Sequence, residues 1–229
     1  MSRKKASPIF MNRLNEYKNN VLVPQNMKNS TGSYGKLFEV IIRHVILVNG
    51  IIKASDIRAR GTEKVDCYSK QFGRVEIKSG SGAVKYGNEL ETFGEEDLTA
   101  ENVLENANTV IWLPFPTFCM GDLFDKDLSQ ISEQEFIKIV KNIMRNTLVF
   151  ESRETFVNCL ECMGKNGIRS MLKVSKQRER TEEEKRKKVK VRGRQINIQT
   201  LSNASAGRMY DFIENEGIGT LDQYITLEK

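Results

Sequence analysis

The sequence predicts an α/β fold in which a mixed central sheet is flanked by helices. Three observations lead there. Residues 34–48, YGKLFEVIIRHVILV, carry a dense apolar pattern of helical length. Residues 51–79 then break into short stretches of period-two alternation, and TVIWLPF at 109–115 is a buried strand closed by Pro114 and Pro116. With 39% hydrophobic and 29% charged residues, the 229-residue chain can bury one substantial core and is not composed like a disordered segment.

In chain order, residues 1–7 form a basic tail, and Pro8 to about Asn20 a short helix with Ile9, Phe10, Leu14 and Tyr17 on one side. Ser33 is placed to cap the helix over 34–48, which Asn49-Gly50 stops. Strands follow near 51–58, 64–69 and 74–79, the last two joined by a turn over Lys70 to Gly73. A short helix is expected from Thr99 to about Ala107, ahead of the strand at 109–115. Ser132 and Glu135 make a capping box for a helix bearing Phe136, Ile139, Val140 and Ile143, and a second amphipathic helix spans Arg153 to Met163 before Gly164. IRSMLKV at 168–174 reads as a strand. After a densely charged stretch, KVKVRGRQINIQT reads as a hairpin turning at Gly193, with short closing helices at 205–215 and 220–225. These divisions predict an N-terminal tail and short helix at 1–32, a core at 33–175, and a basic extension at 176–229 packed on that core.

The formal net charge of +6 favours polyanionic partners. Four cysteines without a secretory pattern read as reduced thiols, and no stretch of about 18 apolar residues is present to span a membrane. The expected location is therefore cytoplasmic, with no membrane partner. Cys159-x-x-Cys162 has the spacing of half a zinc site, but no second C-x-x-C pair exists and the single histidine, His44, cannot complete one. Both cysteines are better read as helix residues, and His44 is assigned no role.

The chemistry concentrates in VEIKSG, residues 75–80. In a strand, Glu76 and Lys78 share one face while Val75 and Ile77 share the other. A hairpin turn centred on Gln71 pairs residues whose numbers sum to 142, which sets Asp66 opposite Glu76 and Tyr68 opposite Arg74. Two carboxylates so placed lie ~5 Å apart and repel unless positive charge intervenes. Hard carboxylate oxygens suit Mg²⁺, with Mn²⁺ able to substitute. Lys78 beside them has the charge to orient a nucleophile and stabilise an attacked phosphate. Glu39, on the preceding helix, is a third carboxylate candidate, with Lys36 and Arg43 one turn to either side as phosphate contacts. The bland alternatives are an exposed strand pair for Glu76 and Lys78, and helix-surface pairs of Glu39 with Lys36 or Arg43, each contributing ~0.2–0.5 kcal/mol.

Glu39, Asp66 and Glu76-Ile77-Lys78, in the order helix, strand, strand, helix, strand over residues 33–115, resemble the PD-(D/E)XK nucleases, the restriction-endonuclease-like superfamily. Val65 stands where the family's name has proline. The resemblance implies a restriction-endonuclease-like core over 33–175 and Mg²⁺-dependent hydrolysis of nucleic-acid phosphodiesters. Asp66 and Glu76 become metal ligands, Lys78 positions water, and Glu39 is an auxiliary ligand. The expected activity is a DNA endonuclease, restriction-type and homodimeric if both strands are cut. Alternatives are an exonuclease, a branched-DNA resolvase or an RNA endonuclease on the same fold, or a nucleic-acid-binding protein without turnover.

Further nucleic-acid contacts are sought in Ser79 and the glycine-rich exit after it, in Lys85 with Tyr86 beyond, and in the basic stretch 178–194, whose nine lysines and arginines face four glutamates in the count. Within it and just after, Arg192, Arg194, Gln195 and Asn197 have the hydrogen-bonding chemistry of base or phosphate contacts.

Overall fold

The computed structural model describes residues 4–5, 18–19, 31–48, 65–69, 72–87, 93–125, 128–175, 182–187 and 193–226. The strands are β1 (Lys4–Lys5), β2 (Cys67–Ser69), β3 (Gly73–Ser79), β4 (Ala83–Tyr86), β5 (Thr109–Leu113), β6 (Leu148–Phe150), β7 (Leu172–Val174), β8 (Gln195–Ile198), β9 (Gly219–Thr220) and β10 (Ile225–Thr226). The helices are α1 (Thr31–Val48), α2 (Pro116–Asp125), α3 (Glu133–Asn146), α4 (Arg153–Met163), α5 (Glu182–Arg186), α6 (Asn203–Glu216) and α7 (Leu221–Tyr224). The expected strand at 51–58, nearly all of the helix at 8–20 and the first arm of the hairpin before Gly193 lie outside the described residues.

The chain divides into two compact units, each discontinuous in sequence: residues 1–80, 106–153 and 217–229, and residues 81–105 and 154–216. The sequence reading set a linear core at 33–175 followed by an extension. In the structure the last thirteen residues belong with the first unit, and a segment from the middle of the expected core belongs with the second.

The first unit is built on a mixed, open five-stranded sheet in the order β2-β3-β5-β6-β9, flanked by helices. β3 and β5 run parallel, and the other neighbours run antiparallel. Period-two alternation sends Val75 and Ile77 of β3 and Ile111 and Leu113 of β5 into one core with helix side chains. That core takes Leu37, Phe38, Ile41, Ile42, Val45 and Ile46 from α1, a stripe that repeats every turn and contributes about 1.5–3 kcal/mol per fully buried side chain relative to exposure. Val110, Trp112 and Phe150 project from the other face of the sheet and are also fully buried, with the Trp112 and Phe150 rings 6.5 Å apart. α3 begins as the capping box predicts, Ser132 Oγ accepting the Glu135 N–H at 3.2 Å. α1 starts earlier than expected, at Thr31, so Ser33 lies inside the helix rather than capping it.

The second unit holds an antiparallel sheet in the order β4-β8-β7. The expected helix at 99–107 is instead a series of turns after a single 3₁₀ turn at Glu95–Asp97. Polar side chains compete with the helical ladder there: Asp97 Oδ2 accepts the Gly94 N–H at 2.8 Å, Asn102 Nδ2 donates to the Asp97 carbonyl at 2.9 Å, and the Leu104 N–H donates to Val84 of β4 at 3.1 Å. The first half of the strand expected at 168–174 is a 3₁₀ turn, Ile168–Met171. Arg208 of α6 donates twice to the Met163 carbonyl at the end of α4, satisfying an orphan acceptor of that terminus. No helix among the described residues is long and apolar enough to cross a membrane.

Candidate active site

The β2–β3 register is Cys67↔Val75, Tyr68↔Arg74 and Ser69↔Gly73, the pairing whose numbers sum to 142. Asp66 lies one residue beyond this ladder, and its N–H reaches the Glu76 side chain. β2 begins only at Cys67, and the side chain of Asp66 takes over the next ladder contact: its Oδ2 accepts the Ile77 N–H at 2.7 Å. The Asp66 N–H is shared between the Val75 carbonyl and Glu76 Oε2, each at 3.1 Å. The two carboxylates are thus locked to the hairpin backbone by their own hydrogen bonds.

Lys78 lies two residues along the same face. Its Nζ is 3.1 Å from Glu76 Oε1 and 3.9 Å from Asp66 Oδ2. Glu76 and Lys78 are both buried, at 8% exposure, which excludes the solvent-facing strand pair as their description. Burial pushes the Glu76 carboxyl up to about 8; the Lys78 ammonium pulls it down and the Asp66 charge adds to the rise. Negative charge in this pocket is therefore short of compensation.

α1 supplies the remaining charges. Glu39 and Arg43 occupy its polar face at i and i+4, and Arg43 Nη2 lies 2.6 Å from Glu39 Oε1. The same nitrogen lies 3.4 Å from Asp66 Oδ1, so one guanidinium ties helix to hairpin. Sequence reasoning put Arg43 forward as a phosphate contact, and the structure gives it to Glu39 and Asp66. The signal was the i,i+4 spacing from Glu39; its second partner needed the hairpin register as well. Lys36 is half-buried one turn earlier on α1. Ser79, at the end of β3, has its Oγ 3.3 Å from the position a Cβ on Gly35 would take. The chain leaves β3 through Gly80 at φ 52°, a left-handed conformation that favours glycine, and the Gly80 N–H donates to the Leu113 carbonyl at 2.7 Å.

Lys85 and Arg194 belong to the second unit and serve it internally. Lys85 Nζ donates to Asn102 Oδ1, lies 3.7 Å from Glu105 Oε2 and sits over the Phe93 ring. Arg194 Nη1 donates to the Phe93 carbonyl at 2.8 Å. Both cations anchor the 93–105 segment, in place of the outward phosphate contacts expected of them. Arg192 lies outside the described residues. Cys67 is fully buried beside Asp66, and burial pushes its thiol up to about 12, so it is no nucleophile.

The donor set suits a hard divalent cation in kind: Asp66 at the entry to β2, Glu76 on β3 and a third carboxylate, Glu39, on α1. As arranged, the positive charge comes from Arg43 and Lys78. Among the described residues, no group of three or more His, Cys, Asp or Glu is gathered closely enough to hold a metal ion.

Comparisons with protein-family models, curated proteins and solved structures give no match.

Proposed function

We propose that this chain is a divalent-metal-dependent nuclease that hydrolyses DNA phosphodiester bonds, acting as an endonuclease on a restriction-endonuclease-like core formed by α1, β2, β3 and β5. What carries the reading is one observation: Asp66 and Glu76 are brought together at the end of the β2–β3 hairpin by backbone hydrogen bonds, with the buried Lys78 ammonium 3.1 Å from Glu76. Asp66 and Glu76 would hold Mg²⁺ or Mn²⁺, with Glu39 as a further oxygen donor once Arg43 is drawn from it. The ion would supply an activated water and Lewis-acid stabilisation of the leaving oxygen. Lys78 orients the attacking water and balances charge developing on the phosphate; its burial strengthens that interaction and fixes its direction. Burial pushes the Glu76 carboxyl up to about 8, and a bound cation would favour the ionised form that a ligand needs.

A second reading has its own support. Arg43 bridges Glu39 and Asp66, so two of the three carboxylates already have a cation partner within the protein, as expected of a nucleic-acid-binding protein without turnover. The discriminating experiment incubates the protein with supercoiled, linear and branched DNA and with RNA, in Mg²⁺, Mn²⁺ or EDTA, beside Asp66→Ala and Lys78→Ala. Metal-dependent nicking of supercoiled circles, lost in both variants, is the expected result. Activity confined to ends, junctions or RNA moves the choice to an exonuclease, a resolvase or an RNA endonuclease. Absence of cleavage on every substrate supports the second reading, whereas cleavage unchanged in the variants overturns the assignment of catalysis to Asp66 and Lys78.

A further inference from the structure

We propose that the outward face of the β4-β8-β7 sheet binds single-stranded nucleic acid, with Tyr86 stacking on a base, Gln195 and Asn197 reaching base edges, and Lys173 meeting a phosphate. The proposal shares its class of partner with the proposed nuclease but uses none of that site's residues, and it holds whether or not the chain cleaves anything.

The argument begins with register. Lys173 of β7 pairs with Asn197 of β8, Asn197 pairs with Ala83 of β4, and Tyr86 pairs with Gln195. Directly paired residues share a face, so Lys173, Asn197, Gln195, Ala83 and Tyr86 line one side of the sheet. Leu172, Ile196 and Ile198 point to the other side and are buried to 1% exposure or less. The sheet is thus apolar on one face, whereas the other carries an aromatic ring, two carboxamides and an ammonium around a small alanine.

A bulge makes this arrangement. The register shifts between Ala83 and Lys85, Val84 being the extra residue. Without it, Lys85 would share the face of Ala83 and Tyr86 would turn to the apolar side. With it, Lys85 turns inward to Asn102 and Glu105, and Tyr86 stands 59% exposed on the polar face. Bulges re-aim side chains, and this one presents a large aromatic ring to solvent between carboxamides.

Charge supports the choice of occupant. The chain leaves β7 at Ser175 and re-enters β8 at Gln195, the two joined by the Ser175 N–H to the Gln195 carbonyl at 2.8 Å and the Gln195 N–H to Ser175 Oγ at 2.9 Å. The intervening residues 176–194 hold ten lysines and arginines against four glutamates in sequence, and the two residues that bracket them, Ser175 and Gln195, are bonded to each other at the end of the sheet where Gln195 pairs with Tyr86. A polyanion fits that positive excess. An aromatic face requires an unstacked base, and carboxamides one strand spacing away reach the edge of the base it holds, which favours a single strand over a duplex.

The test uses the full chain in EDTA and fluorescence anisotropy with a labelled 15-nucleotide single-stranded DNA and the duplex of the same sequence, at two salt concentrations. The expected results are tighter binding of the single strand, a loss of roughly 5- to 100-fold in Tyr86→Ala, and recovery to about twofold of wild type in Tyr86→Phe. Lys173→Ala should lower the logarithmic salt slope by about 0.7. Tyr86 is exposed and its ring serves no core, so the alanine variant keeps its fold, which circular dichroism verifies. Unchanged affinity in Tyr86→Ala, an equal loss in Tyr86→Phe, or an equal loss on duplex overturns the proposal. Running the same titration in a Lys78→Ala background separates this result from the fate of the nuclease reading.

Discussion

The β2–β3 hairpin of the first unit and the β4-β8-β7 sheet of the second use the same sequence device to opposite ends. VEIK in β3 and QINI in β8 both alternate polar and apolar residues, and both put two polar side chains on one face. In β3 that face is closed over: Glu76 and Lys78 are buried, and Asp66 and Arg43 extend them into a network of ion pairs. In β8 the face is half open, and its neighbours are an exposed lysine and an exposed tyrosine. Alternation decides which residues stand together, and burial decides what they can do. Withdrawn from water beside an ammonium, the Glu76 carboxylate acquires a shifted proton affinity and the pair a strong mutual field, the conditions for chemistry. Left at the surface, carboxamides and a phenol ring retain the adaptable contacts that binding needs.

The largest expected effect tests that division at the buried end. Lys78→Ala and Asp66→Ala should each lower metal-dependent cleavage by at least roughly 10²–10³-fold, the scale of a lost electrostatic contact at a reacting centre. Tyr86→Ala, measured at saturating DNA, should leave the cleavage rate within a few-fold of wild type. If the tyrosine variant abolishes turnover as completely as the lysine variant, the two regions are not divided between chemistry and binding as argued.

A smaller effect concerns how the buried ring holds together. Arg43→Ala removes a cation that touches both Glu39 and Asp66 and leaves two carboxylates near a third. Because these groups are only partly buried, the expected destabilisation is about 1–2 kcal/mol rather than the larger penalty of a fully buried broken pair. Urea denaturation in EDTA measures it. Lys173→Ala, on the open sheet, should change stability by less than about 0.5 kcal/mol. Equal destabilisation by the two substitutions would contradict the contrast between closed and open faces.

Much of the hairpin was legible in the sequence. A turn about Gln71 and strict alternation suffice to place Tyr68 opposite Arg74, because register in a short hairpin follows from the turn, and Asp66 next to that ladder then comes within hydrogen-bond reach of Glu76. The S-x-x-E box and the α4 limits were likewise local signals, and the structure keeps them. The second unit was poorly legible, for two physical reasons. Its sheet draws β4 from one stretch of chain and β7 and β8 from another more than eighty residues away, a pairing that no local pattern announces. The bulge at Val84 then reverses the faces of Lys85 and Tyr86, so simple alternation assigns the lysine outward and the tyrosine inward. At 99–107, asparagine and aspartate side chains captured backbone groups and displaced a helix that propensity favoured. Arg43 shows an intermediate case, its helical partner visible from spacing and its hairpin partner hidden until tertiary structure joined them.

The smallest effect is a dependence on pH that should belong to the hairpin alone. Burial, with Asp66 adding to it, lifts the folded-state pKa of Glu76 from 4.5 to about 8, so the folded protein binds this proton more tightly than the unfolded chain does. Stability from this group is therefore complete below about pH 4.5 and is lost progressively as pH rises through 8. In EDTA, thermal unfolding of the wild type should shift to lower temperature between pH 5.5 and pH 8.5. Glu76→Gln, which cannot ionise, should show a flatter profile over that interval even if Lys78 leaves it less stable throughout. Tyr86→Ala, altered only on the open sheet, should keep the wild-type slope. A profile equally steep in Glu76→Gln would mean that the hairpin carboxylate is already ionised in the folded protein, and that its burial does not set its charge.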